Sequence, residues 1–190
     1  MNSIEQFPYI IVGAGGHGLS IAEILKSQNQ KILGFVDLFA NSNITKSDYE
    51  YLGTDEVLKD FDSNQINIAV GMASWKNWRR RNELIRDLST MGFNFPVIFG
   101  NNCHVVKSVS IGAGSQVLTN AFINSNSVIG KNVILNSFTV IEHDVSVLDD
   151  VQISPGVIVC GNVKIERNCF IGAGTVIKNG ITIGENSIIG

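Results

Sequence analysis

Charge is scarce in this chain. Only 16% of its 190 residues are Asp, Glu, Lys or Arg, and the formal net charge is -3. Such a balance offers no broad basic surface for phosphates, so no nucleic-acid partner is expected. Histidine is scarcer still. His17, His104 and His143 are the only three, with no pair at ligand spacing, so no metal is expected. Cys103, Cys160 and Cys169 are odd in number and lack framework spacing. They are read as structural thiols in a reducing, cytoplasmic compartment. No apolar run reaches about 18 residues, so no transmembrane helix and no membrane partner are expected. The stretch ahead of Phe7 is acidic and polar, unlike a signal peptide. What is abundant is apolar residue, 44% of the chain, enough for one or two globular cores.

The strongest pattern lies in the second half. Stepping by six from Val105 to Ile189 meets fifteen residues, all of them Val, Ile or Leu. Four residues after each comes a small or β-branched residue, as at Ser115, Ala121, Ser127, Val133 and Thr139. A period of six matches neither an α-helix nor an alternating strand. It matches a coil with flat faces, one face per hexad and three hexads per triangular turn. Residues just after the aliphatics, such as Gly112, Gly130, Asn124 and Asn136, are expected to take the corners. A parallel β-helix is therefore expected over residues 102–190. Solenoids need covered ends, and the ladder stops in mid-pattern at Gly190, so a tail or a second subunit is expected over that end.

Residues 1–101 read differently. Tyr9-Ile10-Ile11-Val12 is strand-like, and Gly13-Ala14-Gly15-Gly16-His17-Gly18 follows it. Leu19, Ile21, Ala22, Ile24 and Leu25 then recur at helical spacing, and Lys31 to Asp37 reads as a second strand. This is a βαβ unit of Rossmann type. A short helix within Leu52–Phe61, a strand at Ile66–Val70, a helix over Trp78–Met91 and a last strand at Phe95–Phe99 are expected. Gly13, Gly15 and Gly18 match the G-x-G-x-x-G pattern, with Asp37 about 20 residues on. Glycines there let the backbone approach a pyrophosphate at a helix N-terminus. The domain has room for barely more than one mononucleotide half, which favours a single nucleotide diphosphate over a nicotinamide cofactor. A tight turn with no ligand is the other reading. Lys76, Arg79, Arg80 and Arg81 form the one basic cluster, either a solvated helix start or an anion site.

His143 is the third residue of the hexad that starts at Ile141, off both inward series, so it faces out. Glu142 and Asp144 flank it. An outward imidazole beside a carboxylate is a candidate general base, because the carboxylate fixes the tautomer and raises basicity.

The stretches IIVGAGGHGLSIAEIL, GFVD, IAVG, LNSFTVIEHD and CGNVKIERNCFIGAGTVI together resemble the bacterial sugar acyltransferases that join a nucleotide-binding domain to a left-handed β-helix. The resemblance spans essentially the whole chain. It implies acetyl transfer from acetyl-CoA to a UDP- or dTDP-linked 4-amino-4,6-dideoxy sugar in surface-glycan synthesis. O-acetylation of a sialic acid is the alternative. It makes His143 the catalytic base, Asp144 its orienting acid and Asn136 a lining residue of the same site. Nucleotide-sugar contacts are implied at Gly15, Gly16, His17 and Asp37, and acetyl-CoA contacts at Gln152, Gly161 and Ala173. Many relatives carry a second histidine where this chain has Gln152, which cannot hold a protonic charge. The resemblance also implies a homotrimer with active sites between subunits.

Overall fold

The structure is a computed structural model that describes residues 7–40, 48–73 and 78–190. Lys76 of the basic cluster lies outside the described residues. The chain divides into two compact units, Met1–Pro96 and Val97–Gly190.

In the first unit, strands β1 (Tyr9–Val12), β2 (Ile32–Val36), β3 (Tyr51–Gly53) and β4 (Asn67–Val70) form one parallel sheet in the order β3-β2-β1-β4. β1 is buried at all four residues, as the uninterrupted apolar run YIIV of a central parallel strand requires. Helix α1 (Gly16–Ser27) links β1 to β2 and buries Ile21, Ala22, Ile24 and Leu25. Helix α2 (Trp78–Thr90) buries Leu84, Ile85 and Leu88 against a core that contains Ile10, Ile68 and Val70. The residues expected to form a short helix are a 3-10 helix at Asp55–Asp60. β3 was not expected: at three half-buried residues it is too short to alternate.

The strand expected at Phe95–Phe99 is Ile98–Phe99 alone, and it belongs to the second unit, where it pairs with Gln116–Val117. The turn-rich point at Gly100-Asn101-Asn102 therefore lies one strand inside the solenoid. At the edge of the first sheet a single bridge, Asn67 to Asn94, stands in its place.

The second unit is a left-handed parallel β-helix. Sixteen two-residue strands stack in three sheets of six, five and five. The first face carries Ile134–Leu135 and Gln152–Ile153, the second Val140–Ile141 and Ile158–Val159, the third Val128–Ile129 and Ser146–Val147. Partners are 18 residues apart, as in Val140 to Ile158, so each coil is three hexads. The stepped aliphatics fill the axis: Val117, Ile123, Leu135, Ile141, Val147, Val159, Ile165 and Ile171 are all 0% exposed. The small series packs beside them, with Ser115, Ser127 and Thr139 also 0% exposed. Their hydroxyls are satisfied by backbone: Ser115 Oγ donates to the Gly130 carbonyl and Ser127 Oγ to the Glu142 carbonyl.

The corners fall three residues after each aliphatic, not directly after it. That position has positive φ at Asn120, Asn126, Asn132, Phe138, Asp144, Asp150, Asn162, Asn168 and Asn186. The left-handed region crowds an L side chain, and Asn, Asp and Gly tolerate it best. Gly112 and Gly130, right after the aliphatics, serve close stacking instead. A Cβ on Gly130 would come within 2.7 Å of the next coil's backbone.

Candidate active site

Two sites can be built from these elements, one in each unit. In the first, the chain leaves β1 through Gly13 and enters α1 without a side-chain cap on the helix N-terminus. Gly18 and Gly71 pack on the Gly13 carbonyl so closely that a Cβ on either would lie 2.1 or 2.2 Å from its oxygen. That contact holds the first turn of α1 against the ends of β1 and β4. A Cβ on Gly15 or Gly16 would meet nothing within 4 Å. Beside them opens a cavity of about 460 Å³, lined in part by Gly15, Gly16, His17, Asp37 and Arg80. All four residues expected to contact a nucleotide sugar thus border one cavity. Uncapped N–H groups and the positive end of a helix dipole suit a phosphate there.

Asp37 has a structural task as well. Its Oδ2 accepts the Ala14 N–H at 2.8 Å and its Oδ1 the Leu38 N–H at 2.7 Å, so the carboxylate braces the glycine loop. The basic cluster divides. Arg80 donates to Asp55 at 2.8 Å on the cavity rim, Arg79 lies over the Trp78 ring, and Arg81 is 1% exposed. A solvated helix start does not describe a buried Arg81.

The second site is the corner between the second and third faces of the β-helix. His143 and Asp144 occupy it with side chains 57% and 51% exposed. His143 Nδ1 lies 2.8 Å from Asp144 Oδ2. Asn126, on the preceding coil, donates its Nδ2–H to Asp144 Oδ1 at 3.3 Å. The two partners hold the Asp144 carboxyl below the usual carboxylate range, His143 contributing most. An ionised Asp144 accepts the Nδ1 proton and leaves the Nε2 lone pair open. The other flanking acid, Glu142, is engaged elsewhere, accepting from Asn124 Nδ2 at 2.8 Å. Gly161, on the following coil, backs the imidazole: a Cβ there would lie 2.7 Å from Cε1 and 2.8 Å from Nε2.

The remaining expected residues are placed apart from this corner. Asn136 and Ala173 lie on the corner between the first and second faces, and Gln152 is a buried residue of the first face, 6% exposed. Within one chain the structure gathers His143, Asp144 and Gly161, and separates them from Asn136, Ala173 and Gln152. Burial raises the thiols of Cys103 and Cys169, which keeps them protonated and poorly nucleophilic near neutrality. Among the described residues no cluster could hold a metal ion, and no helix is long and apolar enough to cross a membrane.

Comparison with known proteins bears on both units. Residues 9–88 match the PglD N-terminal domain family, and residues 144–179 and 162–190 match the six-repeat bacterial transferase hexapeptide family. No curated protein sequence matches the chain. Among solved structures, the acetyltransferase domain of PglB from Neisseria gonorrhoeae FA1090, in complex with acetyl coenzyme A, is 28% identical. The match covers 96% of this chain and 87% of that one, with a TM-score of 0.87. A histidine-to-asparagine variant of perosamine N-acetyltransferase from Caulobacter crescentus, in complex with CoA and GDP-perosamine, is 25% identical. There the match covers 95% and 84% of the two chains, again with a TM-score of 0.87. WeeI from Acinetobacter baumannii AYE shares the fold at 24% identity and a TM-score of 0.84, over 96% and 88% of the two chains.

Proposed function

We propose that this chain, a member of the hexapeptide-repeat sugar acyltransferases with a PglD-type N-terminal domain, moves the acetyl group of acetyl-CoA onto the amine of a nucleotide-linked sugar. The acceptor is a UDP- or dTDP-linked 4-amino-4,6-dideoxy sugar used in surface-glycan synthesis. The observation that carries the reading is the His143–Asp144 pair, an exposed imidazole whose Nδ1 is tied to an ionised carboxylate at 2.8 Å.

The chemistry is a direct displacement. The neutral amine attacks the thioester carbonyl as His143 Nε2 takes its proton, a contribution of about 10²–10⁴ in rate. The tetrahedral oxyanion then collapses, the C–S bond breaks, and the thiolate of coenzyme A leaves to be protonated. The Gly161 N–H, one coil after His143, is assigned as the backbone donor that meets the oxyanion. No covalent acyl-enzyme is required. Coenzyme A runs past Gly161 of one copy and Ala173 of another, the expected contact at Gln152 being set aside by its burial, and the nucleotide is held at Gly15, Gly16, His17 and Asp37.

A homotrimer fits the separation of the two corners. Asn136 and Ala173 join a His143 site only if another copy presents its own corner to it, and a cleft between two copies is the concave place that two large substrates need. The deciding assay follows thiol release from acetyl-CoA with a panel of UDP-, dTDP- and GDP-linked 4-amino sugars. Free and CMP-linked sialic acids form the second arm. Turnover on an amine with none on the sialic acids is expected. Turnover confined to the sialic acids would replace N-acetylation by O-acetylation.

A further inference from the structure

The corner ladder contains one residue that does not belong there on conformational grounds. Of the eleven non-glycine residues with positive φ among the described residues, ten are Asn or Asp, and the eleventh is Phe138 at φ 60°. A bulky residue in the left-handed region is a true outlier. The equivalent places on the two preceding coils are filled by Asn102 and Asn120, at φ 57° and 59°. The ring gains little from packing in return, since Phe138 is 63% exposed. Its flank along the edge is also open: a Cβ on Gly156 or Gly174, one and two coils further on, would meet nothing within 4 Å.

The turn that presents the ring is fixed. Asn136 Oδ1 accepts the Ser137 N–H at 2.8 Å, and Thr139 Oγ1 donates to the Asn136 carbonyl at 2.6 Å. The Phe138 N–H donates to the Thr119 carbonyl at 3.2 Å. Asn136 and Phe138 are thus two residues of one rigid corner, a polar group and an aromatic face side by side. Backbone strain kept together with apolar exposure points to a role in binding rather than in the fold.

We infer that Phe138 is a specificity-determining contact for the acceptor sugar. Its ring takes the apolar C–H face and 6-methyl group of a deoxy sugar, while Asn136 meets the polar edge. This rests on the acetyltransferase reading above.

The test is Phe138→Asn in the full chain, compared with Phe138→Tyr. Asn removes the strain, so the melting temperature should rise by about 2–4 °C. The KM for the amino sugar should rise about tenfold or more, with the KM for acetyl-CoA within about twofold of the original. Phe138→Tyr should keep the acceptor KM. Discrimination between a 6-deoxy acceptor and its 6-hydroxy analogue should fall in the Asn variant and persist in the Tyr variant. A lower melting temperature would overturn the inference, because the ring would then be packing the fold. An altered oligomeric state with both KM values raised would also overturn it, in favour of a contact between copies. An unchanged acceptor KM in an active enzyme sinks the inference alone. A wild-type chain with no turnover on any amino sugar sinks the acetyltransferase reading, and the inference with it.

Discussion

A single methyl group on Gly161 tests the assignment of His143 without replacing either His143 or Asp144. A Cβ there lies 2.7 Å from Cε1, 2.8 Å from Nε2 and 3.2 Å from Nδ1 of the imidazole, where ordinary contact begins near 3.4 Å. The inner edge of the ring must therefore retreat by about 0.6–0.7 Å. Retreat costs the fold little, because the ring is more than half exposed and Gly161 has no positive φ to forbid alanine. The cost falls on chemistry. The displaced edge carries Nε2, the proton acceptor of the proposed mechanism, and the tilt stretches the Nδ1 contact to Asp144. A misplacement of about 1 Å can cost roughly 10²-fold in rate, so Gly161→Ala should lower kcat by roughly 10- to 100-fold.

The measurement is kcat at saturating acetyl-CoA and acceptor, so that any effect of the methyl on coenzyme A binding appears in KM instead. His143→Ala supplies the second edge of a cycle, with an expected loss of about 10²–10⁴ in kcat and an unchanged fold. In the His143→Ala background the Gly161 methyl should change kcat no further, since the atoms it displaces are gone. A Gly161→Ala enzyme with wild-type kcat would refute the placement. So would a double variant whose loss is the product of the single losses.

Three further outcomes follow from the same geometry. The Asp144 carboxyl is depressed by His143 and Asn126, so its charge is present above the ordinary aspartate value of about 3.9 and is lost only as pH falls below it. Asp144→Asn should therefore lower kcat at neutral pH, where the wild-type carboxylate is charged, and a variant as active as wild type there would show that the charge plays no part. Asp37→Ala removes the acceptor of the Ala14 N–H. It should raise the KM for the nucleotide sugar far more than that for acetyl-CoA, and equal changes would argue against a nucleotide at this loop. Gly18→Ala drives a methyl to 2.1 Å from the Gly13 carbonyl oxygen, a rigid neighbour. A loss of about 1–3 kcal/mol or more is expected by chemical denaturation, and unchanged stability would mean the loop gives way easily.

The β-helix was legible because its tertiary contacts repeat along the chain. Val140 touches Phe122 and Ile158, each 18 residues away, so periodicity in sequence and stacking in space are the same fact. The corner positions were misplaced although their signal was present, as Asn120, Asn126 and Asn132 also recur every six residues. Gly112 and Gly130 look like turn residues in the sequence and are stacking residues. Ile98–Phe99 escaped the series because Phe breaks the Val, Ile and Leu class, and only its pairing with Gln116–Val117 reveals it. The bracing of Ala14 by Asp37 spans 23 residues and leaves no periodic trace. Separation of Asn136 from His143 was equally hidden. Seven residues sounds close, yet in this coil it moves a side chain from one corner to the next.

The His143–Asp144 pair itself depends on the left-handed turn. Neighbours along a strand point to opposite faces, so two adjacent side chains do not ordinarily meet. Here Asp144 sits at φ 57°, and that turn brings its carboxylate back to the imidazole beside it. Two demands meet at this one position. The corner tolerates Gly, Asn and Asp, and the imidazole requires a carboxylate, so Asp alone satisfies both. Asn would keep the turn and lose the charge, while Glu would keep the charge and strain the turn. The coils on either side complete the arrangement. Asn126 on one steadies the acid, and Gly161 on the other leaves room for the ring. A histidine with an acid next to it elsewhere in a solenoid is therefore no equivalent. The pair forms at residues 143 and 144 because the second of them is the corner, with the right neighbour one coil before and one coil after.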